Sequence, residues 1–311
     1  MRTLRLVVEY DGTAYAGWQR QPAAPTVQAV LERAASRLFA APTRVVGAGR
    51  TDAGVHALGQ VAHLVTASRL PAERIHSGLN ALLPPDVVVR AVDEAPPGFH
   101  ARRDARWRAY GYLVLARPLP SALLRRYAHH VPEPLDLDAM QAAATALVGR
   151  HDFAAFRVAG TATRTTECTV TEVAVSRRGA FVVITVVADR FLRQMVRRMV
   201  ATLLQVGRGA LPPGAVGALL AAGDPARVPP AAPPGGLYLL GVSYQEAPPG
   251  AGARGAPPGG ASRRRSSVIG TSVPSGARAV SGSPSCQVAF GRSLKVAVVP
   301  AMSHDSASSP T

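Results

Sequence analysis

The chain has 311 residues, 47% of them apolar, and its 35 Lys and Arg against 19 Asp and Glu give a formal net charge of +16. This length allows one large domain or two ordinary ones with a buried core, and no apolar run approaches the ~18 residues that a membrane span requires. The two cysteines, Cys168 and Cys286, are too few for a disulfide framework or a zinc cluster, so we expect a cytoplasmic protein.

The positive charge is almost entirely arginine, since Lys295 is the only lysine. A codon bias toward arginine accounts for the ratio of Arg to Lys, but it does not account for the excess of cations over acids. The planar guanidinium offers a fork of donors that suits phosphates and stacking. We therefore expect a polyanionic partner.

The first hundred residues alternate strand and helix patterns. The opening Leu4–Tyr10 predicts a strand ending in the turn pair Asp11-Gly12, and it lacks the apolar core of an export signal. Thr26 can cap the helix that follows it. The predicted elements are a strand at Leu4–Tyr10, a helix at Val27–Leu38, strands at Arg44–Val46 and Gln60–Val65, a helix at Pro71–Leu83 and a strand at Val87–Val92. This is the order of a split βαβ unit.

The second half repeats this layout approximately. Its predicted elements are a strand at Arg106–Leu115, a helix at Leu137–Val148, hairpin strands at Val170–Ser176 and Phe181–Ala188, helices at Phe191–Val206 and Gly214–Ala221, and a strand at Leu237–Tyr244. We expect an α+β fold with two ferredoxin-like lobes, residues 1–104 and 105–246. We expect their antiparallel sheets to flank a central basic cleft, which is the natural place for a site. Joining of the two sheets side by side is an alternative that the sequence leaves open.

The C-terminal segment, residues 247–311, differs from the rest in composition. Pro, Gly and Ser make up 30 of its 65 residues, and Phe290 is its only aromatic residue. Such a segment cannot bury enough apolar surface to offset chain entropy, so we expect a disordered tail. Seven cations and Asp305 give the tail +6, which leaves +10 on residues 1–246. The tail is either a dispensable extension or an auxiliary arm that contacts RNA.

The loop Gly47–His56, GAGRTDAGVH, carries the densest functional signal. A dinucleotide-binding loop would have its third glycine at position 52, where an aspartate would repel a pyrophosphate. A P-loop needs a lysine, and residues 1–246 contain none. The loop instead presents Asp52 two residues after Arg50. Asp52 is then either a nucleophile kept ionised by a nearby arginine or a turn residue bonded to backbone N–H groups.

Nine segments favour the nucleophile, because together they resemble the TruA family of tRNA pseudouridine synthases in order and in sequence. The active-site loop of that family is similar to Gly47–Gln60, GAGRTDAGVHALGQ. The other eight segments lie between residues 9 and 239: EYDGTAYAGWQR from Glu9, TVQ from Thr26, GLNALLP from Gly78, FHAR from Phe99, RAYGY from Arg108, GRHDFAAF from Gly149, FLRQMVR from Phe191 and GLYL from Gly236.

The resemblance implies a role for four side chains. Asp52 is the nucleophile, Arg50 its ion-pair partner and an aid to flipping or stacking, and Tyr110 the ring stacked on the target uracil. Arg197 lies beside Asp52 and the substrate phosphate. The resemblance also implies isomerisation of uridine to pseudouridine at positions 38–40 in the anticodon stem–loop of tRNA, by a homodimer without a cofactor or metal ion.

Three residues depart from the family's pattern: Arg198 replaces an asparagine, Ala201 a glycine, and Arg190 is bulkier than the usual residue before Phe-Leu. We expect the extra charge and volume near the cleft to affect Arg197. The arginines of the predicted helix Phe191–Val206 are either solvated or follow the RNA backbone. We expect structural roles for the histidines, for Asp11 as a turn residue, and for Tyr15 and Trp18 as packing.

Two alternative functions remain open on the sequence. A non-catalytic RNA-binding module with ferredoxin-like lobes would share the basic charge and the fold but not the chemistry of Asp52. A pseudouridine synthase for ribosomal or other tRNA uridines would keep the chemistry and change the substrate position. Hydrolysis by a serine triad is unsupported, since the chain contains no Gly-x-Ser-x-Gly elbow.

Overall fold

The computed structural model describes residues 1–158, 163, 165–245, 287–290 and 294–297. Its first half has the predicted order of elements, and each α-helix buries one apolar stripe. Thr26 caps the first helix, its hydroxyl accepting from the Ala29 N–H. The elements are β1 (Arg2–Tyr10), α1 (Val27–Phe39), β2 (Val45–Gly47), β3 (His56–Thr66), α2 (Ala72–Leu82) and β4 (Val87–Ala95).

The second half contains two short strands in addition to the predicted elements. These are β6 and β7, of three and four residues, too short to show an alternation in the sequence. The elements are β5 (Trp107–Ala116), β6 (His129–Val131), α3 (Leu137–Ala144), β7 (Gly149–Asp152), β8 (Glu167–Arg178), β9 (Phe181–Ala188), α4 (Met195–Gly207), α5 (Ala215–Ala222) and β10 (Leu237–Ser243).

All ten of these strands belong to one mostly antiparallel sheet. The order along the sheet is β4-β1-β3-β10-β5-β9-β8-β7, with β2 paired to β3 and β6 to β5. The strand β10 joins the halves, because it runs parallel to β3 and antiparallel to β5. The antiparallel sheets of the two halves are therefore joined side by side into one sheet, whereas the ferredoxin-like lobes and the basic cleft between them stay predictions. The division into lobes at residue 104 stays a prediction.

The main apolar core lies between the sheet and the helices. The helices α1 and α2 contact each other, α2 packs on β4, and α3 packs on α4 and β8. A smaller cluster of Ala48, Val61 and Ala101 is buried separately. Neighbouring side chains on a strand point to opposite faces, so Val61 lies on the other face of the sheet from the core residue Ala62. The segment that precedes β5 thus covers part of the second face.

Two element boundaries differ from the prediction, one beside the loop of Asp52 and one at the start of α4. β3 begins at His56 rather than Gln60, and α4 begins at Met195 rather than Phe191. Gln194 has a φ of 60°, in the left-handed region, so the chain is not helical there. Phe191 is consequently free of the helix and contacts the ring of Tyr110.

The described residues up to 245 belong to one compact unit, and a second unit is assigned to the C-terminal segment. In that segment the structure describes one antiparallel strand pair, β11 (Gln287–Phe290) with β12 (Leu294–Ala297). The predicted disorder of 247–311 otherwise lies outside the described residues. No helix in the described part of the chain is long and apolar enough to cross a membrane.

Candidate active site

Backbone contacts hold the loop 48–55 between the paired strands β2 and β3. The Ala48 N–H donates to the Val61 carbonyl at 2.7 Å, and the Val55 N–H donates to the Asp52 carbonyl at 3.2 Å. The Trp18 N–H donates to the Thr51 carbonyl at 3.1 Å. This last bond ties the loop to the segment that follows β1. Because it is made at the residue before Asp52, it limits the movement of the loop at that point.

Two glycines after β1 let that segment approach the loop closely. A Cβ on Gly12 would lie 2.0 Å from the Val55 carbonyl oxygen, and a Cβ on Gly17 would lie 2.6 Å from that of Thr51. Gly17 also has a φ of +98°, which favours glycine. Trp18 and Tyr15 are buried in the core, which confirms the packing role predicted for both rings.

Asp52 forms an ion pair with Arg197 of α4. Its Oδ2 lies 3.3 Å from Nη1 of Arg197, and the Arg197 Nε donates to the Ala232 carbonyl at 2.7 Å. The Asp52 side chain is 28% exposed, whereas that of Arg197 is 12% exposed. Arg197 thus holds the Asp52 carboxylate, while part of the carboxylate remains accessible to solvent. The predicted placement of Arg197 beside Asp52 is confirmed, although the residues are 145 positions apart.

Tyr110 lies on β5 in the centre of the sheet and is 8% exposed. The rings of Tyr110 and Phe191 are in edge-to-face contact, with centroids 5.1 Å apart and planes at 87°. The Tyr110 hydroxyl would lie 3.9 Å from a Cβ on Gly49 of the Asp52 loop. Burial, followed by the charges of Tyr10 and Asp52, raises the pKa of Tyr110, so the phenol is neutral at physiological pH. The structure therefore brings Tyr110 and Asp52 into one site.

Arg50 is not the partner of Asp52, and the predicted ion pair between them is wrong. Arg50 is exposed, and among the described residues the ion pair of Asp52 is with Arg197. The reason is geometric, because the loop directs Arg50 to solvent while α4 presents Arg197 to the carboxylate. Arg50 remains an exposed cation two residues from Asp52.

Arg198 is buried, so the expectation that it adds charge to the cleft or follows RNA is wrong. The residue is 8% exposed, and its guanidinium donates to the carbonyls of Arg157, Pro225 and Val228. Arg190 likewise donates to the Thr165 carbonyl. Arg198 thus ties neighbouring loops to α4, and Arg190 ties the segment after β9 to the segment before β8. Both side chains are absorbed by packing.

Sequence reasoning missed the side chains that support the loop from beneath. The Tyr10 hydroxyl lies 2.8 Å from the Thr51 Oγ1, and the Gln60 Nε2 donates to the Gly49 carbonyl at 3.0 Å. Burial raises the pKa of Tyr10 to about 12, so it serves as a neutral hydrogen-bonding group. The only signal for Gln60 in the sequence is that an uncharged polar residue occupies a buried strand position. Tyr10 gave no signal, because it fits the alternation of β1 like any other core-facing residue.

His56 is the first residue of β3 and directly follows the loop 48–55. The Gly12 N–H donates to its Nδ1 at 3.1 Å, its Nε2 lies 3.0 Å from the Arg126 carbonyl, and its ring stacks on Tyr238. The Asp11 Oδ1 lies 3.1 Å from Nδ1 and also accepts from the Thr13 N–H. The predicted structural roles of His56 and Asp11 are confirmed. In the described part of the chain, no group of His, Cys, Asp and Glu is arranged to hold a metal ion.

Comparison with known proteins identifies similar chains over this region. A family model described as tRNA pseudouridine synthase matches residues 6–104 and 143–245. A protein from Syntrophotalea carbinolica named tRNA pseudouridine synthase A is 48% identical over 244 residues, which is 78% of this chain and 97% of that protein. Proteins of the same name from Pelobacter propionicus and Geobacter sulfurreducens are each 46% identical over 78% of this chain and their full length.

Proposed function

The chain belongs to the tRNA pseudouridine synthase family, and we propose that it isomerises uridine to pseudouridine in tRNA with Asp52 as the nucleophile. One observation carries this proposal: the Asp52 carboxylate is paired with Arg197 at 3.3 Å and is still 28% exposed. An ion-paired carboxylate is charged, and only the charged form attacks as a nucleophile. Its exposed face is open to an extruded nucleoside.

The main requirement of the reaction is a group that holds the detached intermediate covalently, rather than a strong acid or base. The bond from uracil N1 to ribose C1′ breaks, the ring turns, and a bond from C5 to C1′ replaces it. A proton leaves C5 and N1 gains one, so the product has the composition of the substrate. A covalent adduct between the Asp52 carboxylate and the sugar or base holds the intermediate during this rotation, and the adduct bond then breaks to return the free carboxylate. No redox step or hydrolysis occurs, so the reaction needs no cofactor and no metal ion.

The target uridine has to leave its stack to reach Asp52, at a cost of a few kcal/mol. We assign Tyr110 as the ring on which the uracil then stacks, since stacking on an aromatic side chain returns about 1–3 kcal/mol. The edge-on contact with Phe191 fixes the orientation of the Tyr110 ring. Arg50, exposed beside the nucleophile, is assigned to the displaced base or the RNA backbone, and Arg197 to the phosphate as well as to Asp52.

We propose the anticodon stem–loop of tRNA, positions 38–40, as the substrate site, and a homodimer in the cytoplasm as the working form, with one tRNA touching both subunits. The formal charge of +10 on residues 1–246 suits an RNA partner. The matched family region ends at residue 245, so we assign the activity to residues 1–246 and no catalytic role to 247–311.

The substitution Asp52→Asn tests the nucleophile, because it removes the charge and keeps the shape of the side chain. We expect no pseudouridine from the variant and a tRNA affinity within about twofold of the wild type. Tritium release from C5-labelled tRNA measures the chemistry, and sequencing of the modified positions identifies the uridines. Asp138→Asn, the same change at an exposed position of α3, is the control and should retain full activity.

The outcomes separate the three functions. An active Asp52→Asn enzyme contradicts the nucleophile, and a wild-type chain that binds tRNA without releasing tritium is an RNA-binding module. Pseudouridine that forms only outside positions 38–40 keeps the chemistry and contradicts the substrate position.

A further inference from the structure

Arg108 lies on β5 two residues before Tyr110, on the same face of the sheet. It begins the segment RAYGY, which fits an Arg/Lys-x-Tyr-x-Tyr pattern. The two tyrosines have a place in the site or the core, whereas Arg108 has no assigned part in the reaction. Its side chain is half-buried. A half-buried cation requires several acceptors to offset the loss of its hydration.

The guanidinium of Arg108 donates to four backbone carbonyls. Its Nη1 donates to Ala105 at 3.0 Å and also to Asp189, and its Nη2 donates to Ala48 at 3.3 Å and to Arg102 at 3.1 Å. Within the described residues none of these acceptors is a carboxylate. Two Nη atoms carry four hydrogens, so this set of acceptors uses all of them.

The four carbonyls belong to three segments that place the parts of the active site. Ala48 is the first residue of the loop 48–55, four residues before Asp52. Asp189 directly follows β9 and begins the connection to α4, which carries Arg197. Arg102 and Ala105 belong to the connection between β4 and β5, which links the two halves of the chain. The strand β5 itself carries Tyr110.

A lysine at position 108 would keep the charge but make fewer of these contacts. A planar guanidinium fixes the directions of its donors, whereas an ammonium group has three donors on one nitrogen and cannot reach four carbonyls spread over three segments. Burial lowers the pKa of Arg108, which shows that its charge is carried at a cost. One side chain therefore ties the carbonyls of three segments together.

We propose that Arg108 is a positioning residue, which aligns the Asp52 loop with Tyr110 and with the segment that leads to Arg197. It does not touch the reacting atoms. The inference rests on the proposed function, since it takes Asp52, Tyr110 and Arg197 as the parts to be aligned. A displacement of about 1 Å at a reacting group is enough to slow a reaction about 100-fold. Loss of Arg108 should therefore lower kcat.

The test compares three variants by tritium release from C5-labelled tRNA. We expect Arg108→Met to lower kcat about 10- to 100-fold with KM within about twofold, and Arg108→Lys to recover only part of the loss. Arg177→Met, which removes an exposed arginine at the end of β8, is the control and should match the wild type. In Arg108→Ala, added methylguanidinium should restore part of kcat, because it refills the vacated site.

Three results would overturn the proposal: an unchanged kcat in Arg108→Met, a raised KM with unchanged kcat, or an Arg108→Lys enzyme with full activity. A raised KM alone would show direct contact with RNA. If Arg108→Met does not fold, Arg108→Lys and the methylguanidinium rescue of Arg108→Ala decide the question. These results are distinguishable from failure of the proposed function, because that failure would appear as an active Asp52→Asn enzyme with normal Arg108.

Discussion

The Asp52 carboxylate is paired with an arginine whose side chain is 12% exposed, and its own side chain is 28% exposed. A carboxylate that serves the fold is normally surrounded by donors, as Asp11 is by the N–H and hydroxyl of Thr13 and the hydroxyl of Tyr127. Asp52 has Arg197 on one side and solvent on the other. Asp11 is exposed to the same extent, 29%, so the two aspartates differ in the number of donors that hold them and not in exposure.

Arg197→Met should lower kcat by about 100-fold or more, because it removes the cation that holds the Asp52 carboxylate in place and leaves the carboxylate without a partner. Loss of one preorganised electrostatic contact costs a factor of about 100 to 1000 in other enzymes. Single-turnover tritium release measures the effect on the chemical step. Arg150→Met breaks an exposed ion pair with Glu167 instead and should have almost no effect, since surface pairs contribute little. Equal rates in the two variants would contradict the role of Arg197.

The loop 48–55 is positioned by elements that are distant in sequence. The segment after β1 contacts it through Gly12 and Gly17, β3 supports it through Gln60, and α4 supplies Arg197. No part of the loop belongs to a helix or strand of its own. Its geometry therefore depends on how closely these neighbours approach, and one added methyl group is enough to change it.

Gly12→Ala should destabilise the protein and lower activity, since its Cβ would lie 2.0 Å from the Val55 carbonyl oxygen and backbone would have to move. Overpacking of this kind costs about 1–3 kcal/mol. Thermal unfolding with a parallel activity assay measures both effects. Gly214→Ala is the matched control, because no atom lies within 4 Å of its Cβ position and its φ of −67° suits alanine. Equal melting temperatures for the two variants would show that the loop accommodates the methyl group.

Two buried histidines, His56 and His63, and the half-buried His129 connect the stability of the fold to pH. Burial lowers the pKa of His56, His63 and His129 below the usual 6.5, and for His56 the charge of Asp11 opposes this effect in part. The folded state therefore resists protonation, whereas the unfolded chain takes up protons below about pH 6.5. The stability contributed by the neutral histidines is complete above that pH and is lost as the pH falls below it.

Urea unfolding at several pH values tests this dependence. We expect the free energy of unfolding to be nearly constant from pH 8 to pH 7 and to fall from about pH 6.5 downward, by at most about 1.4 kcal/mol per pH unit for each proton taken up. His63→Gln should reduce the slope. A free energy of unfolding that is independent of pH between 8 and 5.5 would contradict the prediction.

Most of the elements could be predicted from the sequence, because their signals are local. The alternation in Leu4–Tyr10 and in Phe181–Ala188 and the cap at Thr26 act over a few residues, and the structure has β1, β9 and α1 at these places. The short strands β6 and β7 exist only because longer neighbours pair with them. The start of α4 was misplaced because the left-handed conformation of Gln194 has no signature in its residue type.

The place of Asp52 in the candidate site was predicted from the resemblance of its contiguous motif to the family, whereas the loop by itself left a turn residue open. The partner of Asp52 could not be inferred from proximity along the chain, which favoured Arg50. Three-dimensional folding places α4 against the loop and turns Arg50 to solvent. The same holds for Arg198, whose burial depends on the carbonyls of three separate segments. Contacts between distant segments are set by packing, and no local pattern records them.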